Sequence, residues 1–142
     1  MSATKLFTIG YGGRTREEFL KLLCDSGVLT VVDVRLRPDR ASMGIWVRAK
    51  TSDKGIEKLL TDAGIGYRSL VELGNLFLEF DDWRLRYDQL LETAGELLIG
   101  RLSGLAAPLC LLCAEKRASD CHRQQIAEYL ARTRGVEILH LE

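Results

Sequence analysis

Leu109 to Arg123 hold the densest chemistry of the chain: an apolar run, Leu-Cys-Leu-Leu-Cys, ends at Cys113, and Glu115, Lys116, Cys121, His122 and Arg123 follow it. Two thiols, an imidazole, a carboxylate and several cations meet where a strand hands over to a helix. Cys121 falls in or near the first helical turn, where unpaired N–H groups and the helix dipole favour a thiolate and His122 with Arg123 adds positive charge. Cys121 or His122 could then act as nucleophile or proton carrier, with Asp33 or Glu115 as base. The quieter alternatives are that Cys121 packs between helix and sheet and that Arg123 pairs an acid. Cys113, Cys110 and Cys24 suit small buried hydrophobes.

Zinc would need Cys113, Cys121, His122 and a fourth ligand such as Glu115, but the spacing is not that of a ribbon or finger, so no metal and no cofactor is expected. A thiol–disulfide pair of Cys113 and Cys121 is geometrically open if the loop between them folds back, although the Cys-x-x-Cys redox motif is missing.

Three further segments carry polar groups of the same kind. Asp33 and Arg35 lie two apart on an extended segment and so point to one side, as a buried ion pair or as a clamp on a ligand. From Arg35 to Lys50 the chain carries Arg35, Arg37, Arg40, Arg48 and Lys50 against Asp39, with Trp46 among them. Phosphate contact with aromatic stacking would use such a set, and a solvated basic loop would look the same. Gly10-Tyr11-Gly12-Gly13 could cradle a phosphate but lacks the full dinucleotide and nucleotide-loop patterns.

These groups need elements to position them. Lys5 to Gly10 reads as a short buried strand, and Thr15 with Glu18 forms a capping box for a helix that ends at Gly27. Val28 to Val34 reads as a strand buried on both faces. Residues 35 to 52 form a long excursion, and Ser52 or Asp53 caps a helix through about Ala63. Gly66 to Leu70 reads as a short strand and Glu72 to Asn75 as a turn. A longer helix covers Trp83 to about Leu102, Leu109 to Cys113 is the most apolar strand, a helix starts at Ser119 or Asp120 and runs to Arg134, and Val136 to Leu141 closes the chain as a strand. The alternation predicts a three-layer α/β fold, a mostly parallel sheet of about five strands with helices on both faces. Ligands in such sheets sit outside the carboxyl ends of the strands, where Gly10 to Arg14, Asp33 to Arg37, Glu72 to Asn75 and Cys113 to Arg123 all converge.

The chain has 142 residues, which fits one domain over 1–142 with a real core. Lys plus Arg number 20 and so do Asp plus Glu, so no global field draws the protein to nucleic acid or to a membrane, and any anion site must be local. No apolar run approaches the roughly 20 residues that span a bilayer, and Met1 to Thr8 lacks a signal-peptide core. A cytoplasmic location with four reduced cysteines is expected. Composition does not speak to oligomeric state.

Thr8-Ile9-Gly10-Tyr11-Gly12-Gly13-Arg14, Glu18-Phe19, Val32-Asp33-Val34-Arg35 with Pro38, Gly64-Ile65-Gly66-Tyr67 leading to Leu73-Gly74-Asn75, and Leu112-Cys113-Ala114-Glu115-Lys116 with Cys121-His122-Arg123 together resemble the family called domain of unknown function 488. The resemblance spans nearly the whole chain, with Tyr11 where the family often shows His and a loose fit from Ala41 to Ser52. It implies a compact α/β domain in bacterial or archaeal cytoplasm and no settled reaction.

Three functions follow as expectations. The first is an enzyme acting on an anionic substrate, nucleotide or nucleic-acid-like, with Cys121, His122, Asp33 and Glu115 as catalytic candidates. Its binding candidates are Gly10, Tyr11, Arg14, Arg35, Arg37, Asn75, Lys116 and Arg123. The second is a non-catalytic nucleotide or nucleic-acid binding module using the basic loop and Trp46. The third is a thiol redox protein using Cys113 and Cys121.

Overall fold

The computed structural model describes residues 4–142. Its elements alternate as the pattern requires: β1 (Lys5–Gly10), α1 (Arg16–Asp25), β2 (Thr30–Asp33), α2 (Gly55–Asp62), β3 (Gly66–Ser69), α3 (Trp83–Ile99), β4 (Leu109–Cys113), α4 (Arg123–Arg134) and β5 (Glu137–Leu141). The five strands form one sheet in the order β3-β2-β4-β1-β5, and every pairing is parallel. Parallel strands need crossovers, and the helices supply them on both faces. The three-layer α/β architecture is therefore present.

Side chains of β4 alternate between the layers. Leu111 and Cys113 join the core made with α3 and α4, around Tyr87, Leu91 and Ile126. Cys110 and Leu112 join the core made with α1 and α2, around Phe19, Leu23, Ile56 and Leu60. The chain thus leaves β1 and β2 toward one face and β4 toward the other. Where neighbouring strands send their loops to opposite faces a crevice opens at their carboxyl ends, and here it surrounds the end of β4.

Local sequence explains most of the boundaries. Thr15 accepts from the backbone N–H of Glu18 while the Glu18 carboxylate accepts from the N–H of Thr15, so α1 begins with the expected box. Helix α3 ends at Ile99 and the chain turns on as a tighter helix through Leu102, close to the expected end. Gly95 inside α3 has a packing reason: a Cβ there would lie 2.5 Å from the Tyr129 ring of α4.

Two helix starts differ from expectation. Helix α2 begins at Gly55 with no side-chain cap, rather than at Ser52 or Asp53. The N–H of Ile56 instead donates to the Val47 carbonyl at 2.9 Å, so the long excursion supplies the cap. Helix α4 begins at Arg123, later than Ser119 or Asp120; residues Ala118–Asp120 form a single tight turn and Cys121 is extended. Cys121 thus precedes the helix rather than lying in its first turn.

Among the described residues, no helix is long and apolar enough to cross a membrane.

Candidate functional site

A cleft of about 210 Å³ opens at the carboxyl ends of the strands. Tyr11 from the loop after β1 faces it, as do Arg35, Leu36, Arg37 and Arg40 from the loop after β2. Asn75 and Leu78 close the side toward β3, and Cys113 to Glu115 with Asp120 to His122 form the wall after β4. A larger cavity of about 450 Å³ lies at the opposite end of the sheet, lined largely by apolar groups such as Leu6, Ile99 and Leu109. The reactive groups belong to the smaller one.

Glycines bring the β1 and β4 loops together. The N–H groups of Tyr11 and Gly12 donate to the Cys113 and Ala114 carbonyls, extending the sheet pairing beyond the strands. A Cβ on Gly10 would sit 1.6 Å from the Glu115 carbonyl oxygen, and one on Gly12 would sit 2.6 Å from that of Ala114. Close backbone approach accounts for this glycine turn without a phosphate.

Arg123 is the centre of the β4 wall. It is fully buried, and among the described residues no carboxylate forms an ion pair with it. Its Nε donates to the Thr8 hydroxyl at 3.2 Å, its Nη1 to the Glu115 carbonyl at 2.7 Å and its Nη2 to the Lys116 carbonyl at 3.1 Å. Nη1 also lies 2.7 Å from the Cys113 sulfur. Burial pushes the guanidinium below its usual pKa, although arginine stays charged in proteins. A buried cation of this kind calls for an anion, and Cys113 stands where that anion would be.

Cys113 and Cys121 are bridged as a disulfide, with Cα atoms 7.2 Å apart, so two of the four cysteines expected to be reduced are not; of the free pair Cys110 is buried as expected, whereas Cys24 is exposed. The loop between them does fold back, tied down by the Arg123 bonds and by the Glu142 carboxylate, which accepts from the N–H of Ala118 at 3.0 Å. A carboxylate oxygen of Glu115 lies 3.5 Å from the Cys113 sulfur. The two sulfurs and this carboxylate fall within 4.8 Å of one another, so a thiophilic cation would need the bridge reduced and the sulfurs parted to bind all three.

His122 is enclosed beside this pair. Its Nε2 donates to the Val34 carbonyl at 2.8 Å, so Nδ1 carries the lone pair and faces the Cys121 sulfur at 3.6 Å. Burial pushes the imidazole down to about 4. At neutral pH it is an uncharged ring whose Nδ1 lies beside the Cys121 sulfur.

Asp33 is fully buried and wholly engaged. It accepts from Arg35 through the backbone N–H at 3.1 Å, Nε at 2.9 Å and Nη2 at 2.7 Å, and from the Tyr67 hydroxyl at 2.6 Å. Burial opposes the Arg35 charge, but Asp33 outweighs it and holds that pKa above its usual value. Asp33 is thereby an anchor for Arg35 rather than a base open to the cleft. The remaining Nη1 of Arg35 lies 3.4 Å from the Tyr11 hydroxyl, at the cleft surface.

Of the sequence candidates, Tyr11, Arg35, Arg37, Asn75, Glu115, Cys121 and His122 face the cleft. Asp33, Gly10 and Arg123 lie behind its walls as supports. Arg14 turns away, donating to the Gly10 and Leu141 carbonyls, and exposed Lys116 lies outside the lining. Trp46 is buried, stacked on Tyr11 at 5.0 Å and edge-on to Phe19 at 4.9 Å, so it holds the long loop down instead of offering a face to a base. Cys113 gains a place at the site that its position at the end of an apolar strand had concealed, and Arg40 joins the rim.

No curated protein and no solved structure matches the chain. A family model matches residues 15–130, which include β2, β3, β4 and the Cys113 to Arg123 wall. The chain belongs to the family described as Domain of unknown function DUF488.

Proposed function

We propose that this protein is a thiol-dependent enzyme that takes an anionic substrate into the cleft at the strand ends, with the Cys113 thiolate as nucleophile once the Cys113–Cys121 disulfide is reduced. The observation that carries the reading is Arg123, a buried guanidinium without a carboxylate and 2.7 Å from the Cys113 sulfur. A cation at that distance favours thiolate over thiol. The Cys121 sulfur released by that reduction lies 3.6 Å from Nδ1 of His122. Arg37 and Arg40 at the rim attract the anionic portion of a nucleotide-like substrate, whose reacting group fits the small inner cleft. Thiols poised in this way work in a reducing compartment, which fits the cytoplasm.

The test is the pH dependence of iodoacetamide alkylation at Cys113 in the reduced protein, read by mass spectrometry. The midpoint should fall well below the roughly 8.5 of an ordinary thiol, and Arg123→Met should move it up. A midpoint at or above the ordinary value removes the nucleophile. Iodoacetate should gain on iodoacetamide through the rim cations, and Arg37→Ala with Arg40→Ala should erase that gain.

The Cys113–Cys121 disulfide favours one second reading, a thiol redox protein. Mass spectrometry after mild peroxide treatment decides it: loss of two hydrogens with a linked peptide pair supports exchange, and an unbridged pair rejects it.

A further inference from the structure

A residue lining the cleft carries a donor that has no partner among the described residues. Asn75 is 3 % exposed, and its Nδ2 has no hydrogen-bond partner. Its amide cannot simply be turned over, because Oδ1 accepts from the N–H of Phe77 at 2.9 Å and so fixes which end is left unpaired beside the cleft. Buried polar groups are nearly always paired, and a buried donor left unmet weakens the fold. A ligand entering the cleft would supply the acceptor.

Arg35 adds a second donor held in the same manner. Its Nε and Nη2 are consumed by Asp33, which leaves Nη1 with only the long 3.4 Å approach to Tyr11. Both residues line the cleft that also holds Cys113, and hydrogen bonds at their other atoms hold the two side chains in place. Fixed donors that face the place where negative charge develops lower the barrier for attack at an oxygen-bearing centre.

We infer that the group accepted by Cys113 is an oxygen-bearing electrophile, acyl or phosphoryl, and that Asn75 Nδ2 is the donor for the oxygen that gains negative charge. The inference rests on the thiolate reading above. In the step, a sulfur lone pair forms the bond to carbon or phosphorus and the electrons of the C=O or P=O bond shift onto oxygen, toward Asn75 and Arg35. The leaving group then departs with the pair of the bond that breaks, giving an S-acyl or S-phosphoryl adduct. Attack on a saturated carbon develops no such oxygen and draws nothing from Asn75.

The experiment uses the whole reduced protein with three probes: p-nitrophenyl acetate, p-nitrophenyl phosphate and iodoacetamide. Wild-type protein should release p-nitrophenolate from one of the two esters, and the ester chosen tells acyl from phosphoryl. Asn75→Ala should slow that release by about 100-fold while iodoacetamide alkylation of Cys113 stays within about twofold. Asn75→Asp keeps the shape and the acceptor for Phe77 but removes the donor, so it should lose p-nitrophenolate release in the same way even if the alanine variant folds poorly. Equal losses for ester and iodoacetamide, or no loss of ester cleavage, overturn the role of Asn75. Rapid alkylation of Cys113 with neither ester cleaved overturns the substrate class and leaves the thiolate standing. Alkylation no faster than that of an ordinary thiol removes the thiolate reading, and this inference with it.

Discussion

Two buried arginines at one cleft solve the same electrostatic problem differently. Arg35 has a carboxylate gripping it through two oxygens, whereas Arg123 has carbonyls, a hydroxyl and sulfur. Removing one partner of a buried pair strands the other charge, so Asp33→Asn should destabilise the fold by about 3–5 kcal/mol in urea unfolding. Replacing both partners, as in Asp33→Asn with Arg35→Met, should recover much of that loss. His122 sets a pH limit at the same scale. Its imidazole titrates near 4 when folded, against about 6.5 for an unperturbed histidine, because burial disfavours the charged ring. As pH falls through this window the unfolded chain takes up the proton first. Stability is therefore fullest above about pH 6.5 and falls by roughly 3 kcal/mol by pH 4. His122→Asn should lose that portion of the decline when unfolding is followed from pH 7 to pH 4. Parallel curves for the two proteins would place the proton elsewhere.

Loops become a site only because elements hold them within contact, and β1 with β4 shows how little slack there is. Gly10→Ala would push a Cβ into the Glu115 carbonyl that Arg123 grips from the other side. The variant should lose at least about 2–3 kcal/mol, and the Cys113 alkylation midpoint should drift back toward an ordinary thiol as the wall shifts. Unchanged stability and unchanged alkylation would show that the two loops yield freely. The alternation of strands and helices, the Thr15–Glu18 box and the convergence of four loops on one sheet edge were legible in the sequence, since each depends on periodicity or on neighbours a few residues away. The start of α4 was not legible, because Ala118 is held by Glu142 and the Ser119 carbonyl by Arg84, contacts across the fold. The same holds for the site. A sequence shows that Arg123 and Cys113 are near one another in the chain, but not that one is sealed around the other, nor that Asn75 beside the cleft keeps an unused N–H. Trp46 among basic residues looked like a stacking platform until Tyr11 and Phe19 covered it.

At the scale of the whole molecule the sheet works as a partition. Leu111 and Leu112 are adjacent on β4, yet they feed separate cores on opposite faces, and the cleft lies across the upper edge of both. Each face is sealed by its own pair of helices, so a cavity made on one side cannot be filled by side chains from the other. Leu60 of α2 and Ile126 of α4 are fully buried on the two faces and belong to different clusters. Leu60→Ala and Ile126→Ala should each reduce stability by about 2–4 kcal/mol through lost transfer energy and the cavity left behind. Because the two sites share no packing partner, the double variant should show the sum within about 0.5 kcal/mol. Coupling well beyond that would mean the sheet itself deforms to relieve one cavity at the expense of the other. The strand ends would then move as well, and alkylation of Cys113, measured on the same variants, would change with them.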